Sequence, residues 1–389
     1  MIFSGKKHTP ASRAGHGGGF FADWDWLQLL AVLGLLGIGL LFIHSTGENF
    51  RAAAAFSRQV QWIGLGSLLF LVCACIDYRN VNFKFLTLPA YLLVVVLLML
   101  TLRFGVRISG ATRWLDIGSF RIQPSEFAKL AMVLLLSVVV SLPRFEINKK
   151  GGMLAGVLVF LIPFLLIAKE PDLGSALVLV PAFAGMVFCA GLKWRYIVIF
   201  SAALLLIGSI AVLNETLRIK PLLREYQRDR IRVFLDPESD RLHRGYNAYQ
   251  ARLAVGSGGF LGKGIGQGEQ NNLGYLPHTV ANNDFIFSVI AEETGFAGAL
   301  ILLLLYALLL YSIWRTAFRA ADPMGRAIAV GIGCVISFHV FINIGMSVGL
   351  APVTGVPLPF VSYGGSFLLS SMAMCGILQS VYRKRRREL

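Results

Sequence analysis

The sequence predicts an all-α, polytopic membrane protein with ten transmembrane helices and one large extracytoplasmic loop between spans seven and eight. Three observations predict it. The 389-residue chain is 56% hydrophobic and only 15% charged, whereas soluble domains are about 25% charged. Its mean hydropathy is +0.68, and apolar runs long enough to cross about 30 Å of hydrocarbon recur from Trp26 to Tyr382. Lys and Arg, finally, are unequally shared between alternate loops.

In chain order, Met1–Gly19 is polar and glycine-rich. Its first apolar run starts too late for a cleavable signal, and no small-residue cleavage site closes that run. Residues 1–22 are expected to form a disordered cytoplasmic tail, 23–382 the membrane domain and 383–389 a basic cytoplasmic tail. Hydropathy places spans at 26–45, 59–76, 85–103, 125–143, 154–169, 173–191, 195–213, 284–314, 326–349 and 358–382. With the N-terminus inside, cytoplasmic segments carry 18 Lys and Arg and short outer loops eight. The other ten lie in 214–283, which is too long for the positive-inside rule to count. Both termini are then cytoplasmic. The net charge of +15 sits in short loops and in the tail Arg383–Arg387, which fits orientation and anionic membrane lipids and speaks against nucleic acid. Cys73, Cys75, Cys189, Cys334 and Cys375 fall within apolar runs without metal-ligand spacing and read as packing residues.

This topology puts four polar stretches on the outer side. In 103–129, Pro124-Ser125 suits a helix start, and Glu126 and Lys129 share a helix face. They read either as an anchoring ion pair or as the support of a phosphate-binding lysine, with Arg113 and Arg121 nearby. Lys169–Gly174 is a tight Pro-containing reversal in which Asp172 reads as a helix cap or as an acid of a site. In 214–283, Leu222, Leu223, Tyr226, Arg230 and Phe234 have near-helical spacing, as for an interfacial helix with arginines facing headgroups. The glycine run that follows lacks the strand and Gly-Lys-Ser/Thr of a nucleotide loop; backbone packed against a substrate or a neighbouring helix fits it better. At 351–366, prolines and glycines break an apolar stretch, a feature tolerated only inside protein or along a wet cavity. Asp284 stands where the eighth span begins, with Glu292 and Glu293 about two turns on; acids at that depth suggest a site. Among the histidines only His278, close to Asp284, reads as worth testing.

RWLDIGSFRIQPSEFAK, KEPDLGSAL, DFIFSVIAEETGF and PVTGVPLPFVSYGGS occur in that order. Together they resemble the signatures of the SEDS (shape, elongation, division and sporulation) family, its RodA branch most of all. The resemblance implies a ten-span fold and a peptidoglycan glycosyltransferase that polymerises lipid II at the outer face, beside a class B penicillin-binding protein. It carries the family's essential aspartate onto Asp284, the QPSE…K pair onto Glu126 and Lys129, and the PDLG acid onto Asp172. Tyr363, Gly364 and Gly365 join the expected substrate-binding set with Lys129, Arg113, Arg121, Glu126 and Asp172. One departure stands out: His278 follows Pro277, Asn283 replaces a threonine, and the Pro-to-Asp spacing is two residues longer.

The chemistry needs a base for a sugar hydroxyl and cations for a departing diphosphate. Asp284 is the candidate base and Lys129, Arg113 and Arg121 are the candidate cations. No cofactor is fixed by the sequence; a divalent ion, Mg or Mn, held by Asp172 or Glu126 is one candidate. Two rivals use the same residues. A flippase for the lipid-linked precursor would need polar groups along a path through the bilayer, and a non-catalytic scaffold would need only the partner-binding surface.

Overall fold

A computed structural model describes residues 23–46, 50–108, 111–118, 120–142, 149–196, 225–235 and 245–385, with isolated positions between 198 and 213. The expected tail 1–22 and most of the expected span 195–213 lie outside the described residues.

The molecule is mostly helical, and among the described residues eight helices are long and apolar enough to cross a membrane. These are α1 (Trp26–Ser45), α2 (Phe50–Cys75), α3 (Val81–Phe104), α4 (Pro124–Ser141), α5 (Lys150–Lys169), α11 (Ile286–Arg319), α12 (Pro323–Val348) and α13 (Gly365–Arg383). A ninth apolar helix, α6 (Leu173–Cys189), has 17 residues. Shorter helices are α7 (Glu225–Leu235), α8 (Tyr246–Ser257), α9 (Glu269–Asn272) and α10 (His278–Ala281).

Their ends follow ordinary capping chemistry. Asp25 accepts from the Leu27 and Gln28 amides at 3.1 and 3.3 Å. Asp322 accepts from the Gly325 amide at 2.9 Å ahead of Pro323, whose missing N–H costs nothing at a helix start. α12 ends on Gly349 at φ +84, the left-handed stop that glycine adopts most easily.

α4, α12 and α13 form the buried centre, while α2, α3 and α5 present broad apolar faces such as Leu68, Phe85, Leu93 and Leu158. Gly39 lets the chain after α12 press onto α1, because a Cβ there would meet the Phe360 and Val361 carbonyls at 2.8 Å.

Two expectations need correction. The chain is not purely helical: β1 (Val106–Ile108), β2 (Ala111–Ile117) and β3 (Phe120–Ile122) form an antiparallel sheet in the order β1-β2-β3. β1 and β3 have three residues each, and in β2 the run Arg113-Trp114-Leu115-Asp116 breaks the polar–apolar alternation that marks a strand. The last span starts at Gly365 rather than 358, because 351–364 is irregular backbone anchored by side chains.

Candidate active site

All four polar stretches contribute residues around Asp284, through elements far apart in sequence. β2 carries Arg113, whose Nη2 donates to the Pro171 carbonyl at 2.7 Å and whose Nη1 lies 3.6 Å from Asp172 Oδ1. Asp172 also caps α6 by accepting from the Ser175 amide at 3.2 Å, as the capping reading expects. Gln123, just before α4, reaches Asp172 Oδ2 at 3.5 Å. Arg230 on α7 turns inward and donates to the Thr354 carbonyl at 3.4 Å. This corrects the expectation that the arginines of that helix all face headgroups.

Asp284 is half-buried and lies in the field of Arg113, Arg230 and Asp172. Burial pushes its carboxyl up to about 6; Asp172 adds to the rise, and the two guanidinium groups oppose it. Its main chain is held firmly. The Asn343 amide donates to the Asp284 and Val356 carbonyls, both at 2.8 Å. Ser362 Oγ donates to the Asn283 carbonyl at 2.6 Å, and Tyr363 N donates to that of Asn282 at 2.9 Å. The two extra residues before the acid fold into α10, where the Asp284 amide bonds the Val280 carbonyl at 3.0 Å. His278 opens that turn and is exposed. Gly355, at φ +72, passes within 3.3 Å (measured to a notional Cβ) of Asp284 Oδ2, an approach glycine makes with least strain.

The remaining expected site residues divide. Tyr363, Gly364 and Gly365 sit behind the acid against α2: the Gly364 amide lies 3.4 Å from Gln59 Oε1, and Gly365 packs on the Trp62 ring. Arg121 is not brought to Asp284. Its side chain is 61% exposed and pairs with Asp116 at 3.0 Å. Asp116 is three residues from Arg113 on β2, so the two side chains leave opposite faces of the strand. Glu126 and Lys129 pair at 2.7 Å, 1% and 0% exposed, as an internal ion pair. Lys129 Nζ also lies 3.0 Å from His339 Nε2, so the anchoring reading describes its observed contacts. Glu126 and Asp172 are thus each committed to a cationic side chain, and no group of three His, Cys, Asp or Glu gathers among the described residues. A divalent ion here would find one or two protein carboxylates and would take the rest of its shell from substrate phosphate and water.

Sequence reasoning missed Arg230, His339 and Glu170. Glu170 is fully buried with neither carboxyl oxygen partnered among the described residues. Burial and then Asp172 push it up to about 9 against Arg113, so it is neutral at physiological pH. His339 carries no local signal. Arg230 carries no local signal either: its inward turn, on a helix whose Val233 is buried, depends on which elements pack against it.

Glu292 and Glu293 serve a different purpose. Glu292 Oε1 takes Lys263 Nζ at 2.8 Å and the Gln270 amide at 3.2 Å; Glu293 Oε2 takes Ser45 Oγ at 2.6 Å and the Gly266 amide at 3.0 Å. The Lys263 and Gly264 amides bond the main-chain carbonyls of the same two glutamates. The glycine run is therefore backbone packed on a helix.

A polytopic helical bundle that brings an acid into the field of two arginines from separate elements is an enzyme-like membrane protein. The family model of the cell cycle proteins FtsW, RodA and SpoVE matches residues 23–387, and the chain belongs to that family. It is 39% identical to the peptidoglycan glycosyltransferase MrdB of Escherichia coli K12, over 93% of this chain and 94% of that protein. It is 32% identical to the peptidoglycan glycosyltransferase RodA of Treponema pallidum, over 92% and 98% respectively. Its fold matches a chain from a structure described as a peptidoglycan synthase complex coordinating polymerisation and crosslinking, with TM-score 0.78, 31% identity and coverage of 94% and 99%. It also matches the rod shape determining protein RodA of Thermus thermophilus with TM-score 0.68, 28% identity and coverage of 94% and 98%.

Proposed function

We propose that this chain is a peptidoglycan glycosyltransferase of the elongation branch. It polymerises lipid II at the outer face of the cytoplasmic (inner) membrane, with both termini cytoplasmic and a class B penicillin-binding protein as partner. The observation that carries the reading is the placement of Asp284. A half-buried carboxyl is poised near pH 6 between guanidinium groups delivered by two separate elements.

In the reaction, an acceptor sugar hydroxyl attacks the anomeric carbon of a lipid-linked donor, and the bond from that carbon to the diphosphate oxygen breaks. Asp284 takes the hydroxyl proton; above its pKa it is ionised and ready, while its raised basicity favours the transfer. Arg113 and Arg230 face the charge that gathers on the departing diphosphate, which bidentate guanidinium groups suit better than ammonium. Arg113 already touches Pro171 and Asp172, so it is held in place before substrate arrives. Lys129 has its amine committed elsewhere, so phosphate contact falls to the arginines.

The test is purified full-length protein with lipid II, scored for glycan chains with and without divalent metal and chelator. Asp284→Asn is expected to insert and fold yet lose about a hundred- to ten-thousand-fold in rate. Near-normal polymerisation by that variant would remove the acid from the mechanism. Movement of lipid II between leaflets without chain growth would point to a flippase, and full growth complementation by Asp284→Asn to a scaffold.

A further inference from the structure

His339 stands one turn before Asn343 on α12, so the two side chains leave the same face of the helix. They grip consecutive carbonyls of the irregular segment: His339 Nδ1 is 3.1 Å from the Pro357 oxygen, and the Asn343 amide is 2.8 Å from that of Val356. Asn343 bonds the Asp284 carbonyl as well. On the other side of the imidazole, Nε2 lies 3.0 Å from Lys129 Nζ, and the ring packs on Phe367 at 5.0 Å between centroids. An ammonium only donates and a carbonyl only accepts. Lys129 must therefore donate to Nε2, while Nδ1 carries the proton and donates to Pro357; the hydrogen bonds fix a neutral ring in one tautomer. Lys129 in turn holds Glu126, whose main-chain carbonyl accepts from Ser370 Oγ of α13 at 2.8 Å.

We infer that His339 and Asn343 are positioning residues, two jaws on one face of α12 that clamp Val356–Pro357 and so tie the internal Glu126–Lys129 pair to the place of Asp284. The ion pair acts on the reaction through this clamp and not by touching phosphate. Without the jaws, the stretch after Gly355 loses its side-chain anchors at Val356 and Pro357 and is held less firmly over the Asp284 carboxylate, while Arg113 from β2, Asp172 ahead of α6 and Arg230 from α7, which still holds the Thr354 carbonyl, continue to face this acid.

Two measurements test it on the full chain. The first is amide hydrogen exchange at Leu358, Ser362 and Tyr363, whose amides are bonded within this segment or to Asn282, and it needs no activity. His339→Phe fills the space but bonds neither neighbour, and exchange there should rise about tenfold or more. His339→Gln can accept from Lys129 and donate to Pro357, and should stay near wild type. The Lys263 and Gly264 amides serve as the unaffected reference. If His339→Phe does not accumulate, Asn343→Leu is read at the same amides with the same expectation. Unchanged exchange in the variant read, or an equal rise in the Gln variant, overturns the clamp.

The second measurement rests on the assignment of Asp284 as base. With the clamp loosened, water reaches the carboxyl, so the acidic limb of polymerisation should move below pH 6, with kcat falling and KM for lipid II within about twofold; rescue by His339→Gln should restore both. An unmoved limb, or a loss confined to KM, counts against positioning. Should Asp284→Asn stay active, the base assignment fails while the exchange result still decides the clamp.

Discussion

Asp284 and the pair Glu292–Glu293 lie within ten residues of one another, yet they are solvated in opposite ways. Glu292 and Glu293 are sealed, and each offers an oxygen to a main-chain amide; Lys263 adds its ammonium to one and Ser45 its hydroxyl to the other. Asp284 remains half-exposed, its main chain pinned while its carboxylate faces two guanidinium groups. An acid whose oxygens are taken by its own protein is holding structure. One whose backbone is fixed while its oxygens stay available is prepared for a reactant. Depth in the membrane domain alone does not separate the two.

The sharpest way to break the comparison is to neutralise each acid. Asp284→Asn should remove polymerisation while leaving the fold, with the loss given above. The same variant should be the more thermally stable protein at pH 8. A carboxyl whose folded pKa is raised favours the folded state below its unfolded value near 4 and loses that contribution as pH rises through about 6. Removing the charge removes the penalty at alkaline pH, so the advantage of the Asn variant should shrink to nothing by pH 4. Glu292→Gln, which takes this carboxylate from the Lys263 ammonium, should do the reverse, lowering the melting temperature with kcat of the folded fraction within about twofold. Equal losses of rate in both variants would dissolve the distinction.

The seam between the glycine run and α11 gives the next largest effect, on stability. Gly295 breaks α11 at φ +65, and a Cβ there would press on the Gly262 amide and the Phe260 carbonyl; Gly262, at φ +79, faces the Glu293 carbonyl in return. Alanine at either position meets both a strained backbone and a collision, so each should cost at least about 1 kcal/mol, and more where the seam opens. Thermal unfolding in detergent or vesicles measures it, and neutral substitution would show that the seam is not close-packed.

That seam also shows what a sequence can disclose. The apolar runs were plain because hydrocarbon thickness fixes their length. Asp284 was plain because charge at a span boundary has few structural excuses. The sheet was hidden by its short strands. The inward turn of Arg230 and the tie between Lys129 and His339 were hidden for another reason: both depend on which helices become neighbours, and spacing along the chain carries none of that. The placing of Arg121 with Arg113 fails on the two-residue period of β2, which sends Asp116, the partner of Arg121, and Arg113 to opposite faces.

Arg113 refines the electrostatic side of the comparison. It opposes the burial that raises Asp284, so Arg113→Ala should move the acidic limb of the rate to higher pH as well as raise the apparent KM for lipid II. The limb of the clamp variants should move the other way. Measuring kcat and kcat/KM across pH 5 to 8, as buffered single-pH assays cannot, separates a lost cation from a loosened loop. A limb that stays fixed in Arg113→Ala would place that guanidinium out of reach of the acid.

The smallest effect is expected at Arg121, and it is informative for that reason. Its pair with Asp116 is 3.0 Å long, but the two side chains are 61% and 43% exposed, and such surface pairs contribute about 0–1 kcal/mol. Arg121→Ala should therefore leave melting temperature, KM and the position of the acidic limb close to wild type. Arg113 leaves the other face of the same sheet and changes all three. A large loss of polymerisation in Arg121→Ala would mean that lipid II or a partner reaches around the sheet to its outer face, and that the substrate path extends beyond the residues that face Asp284.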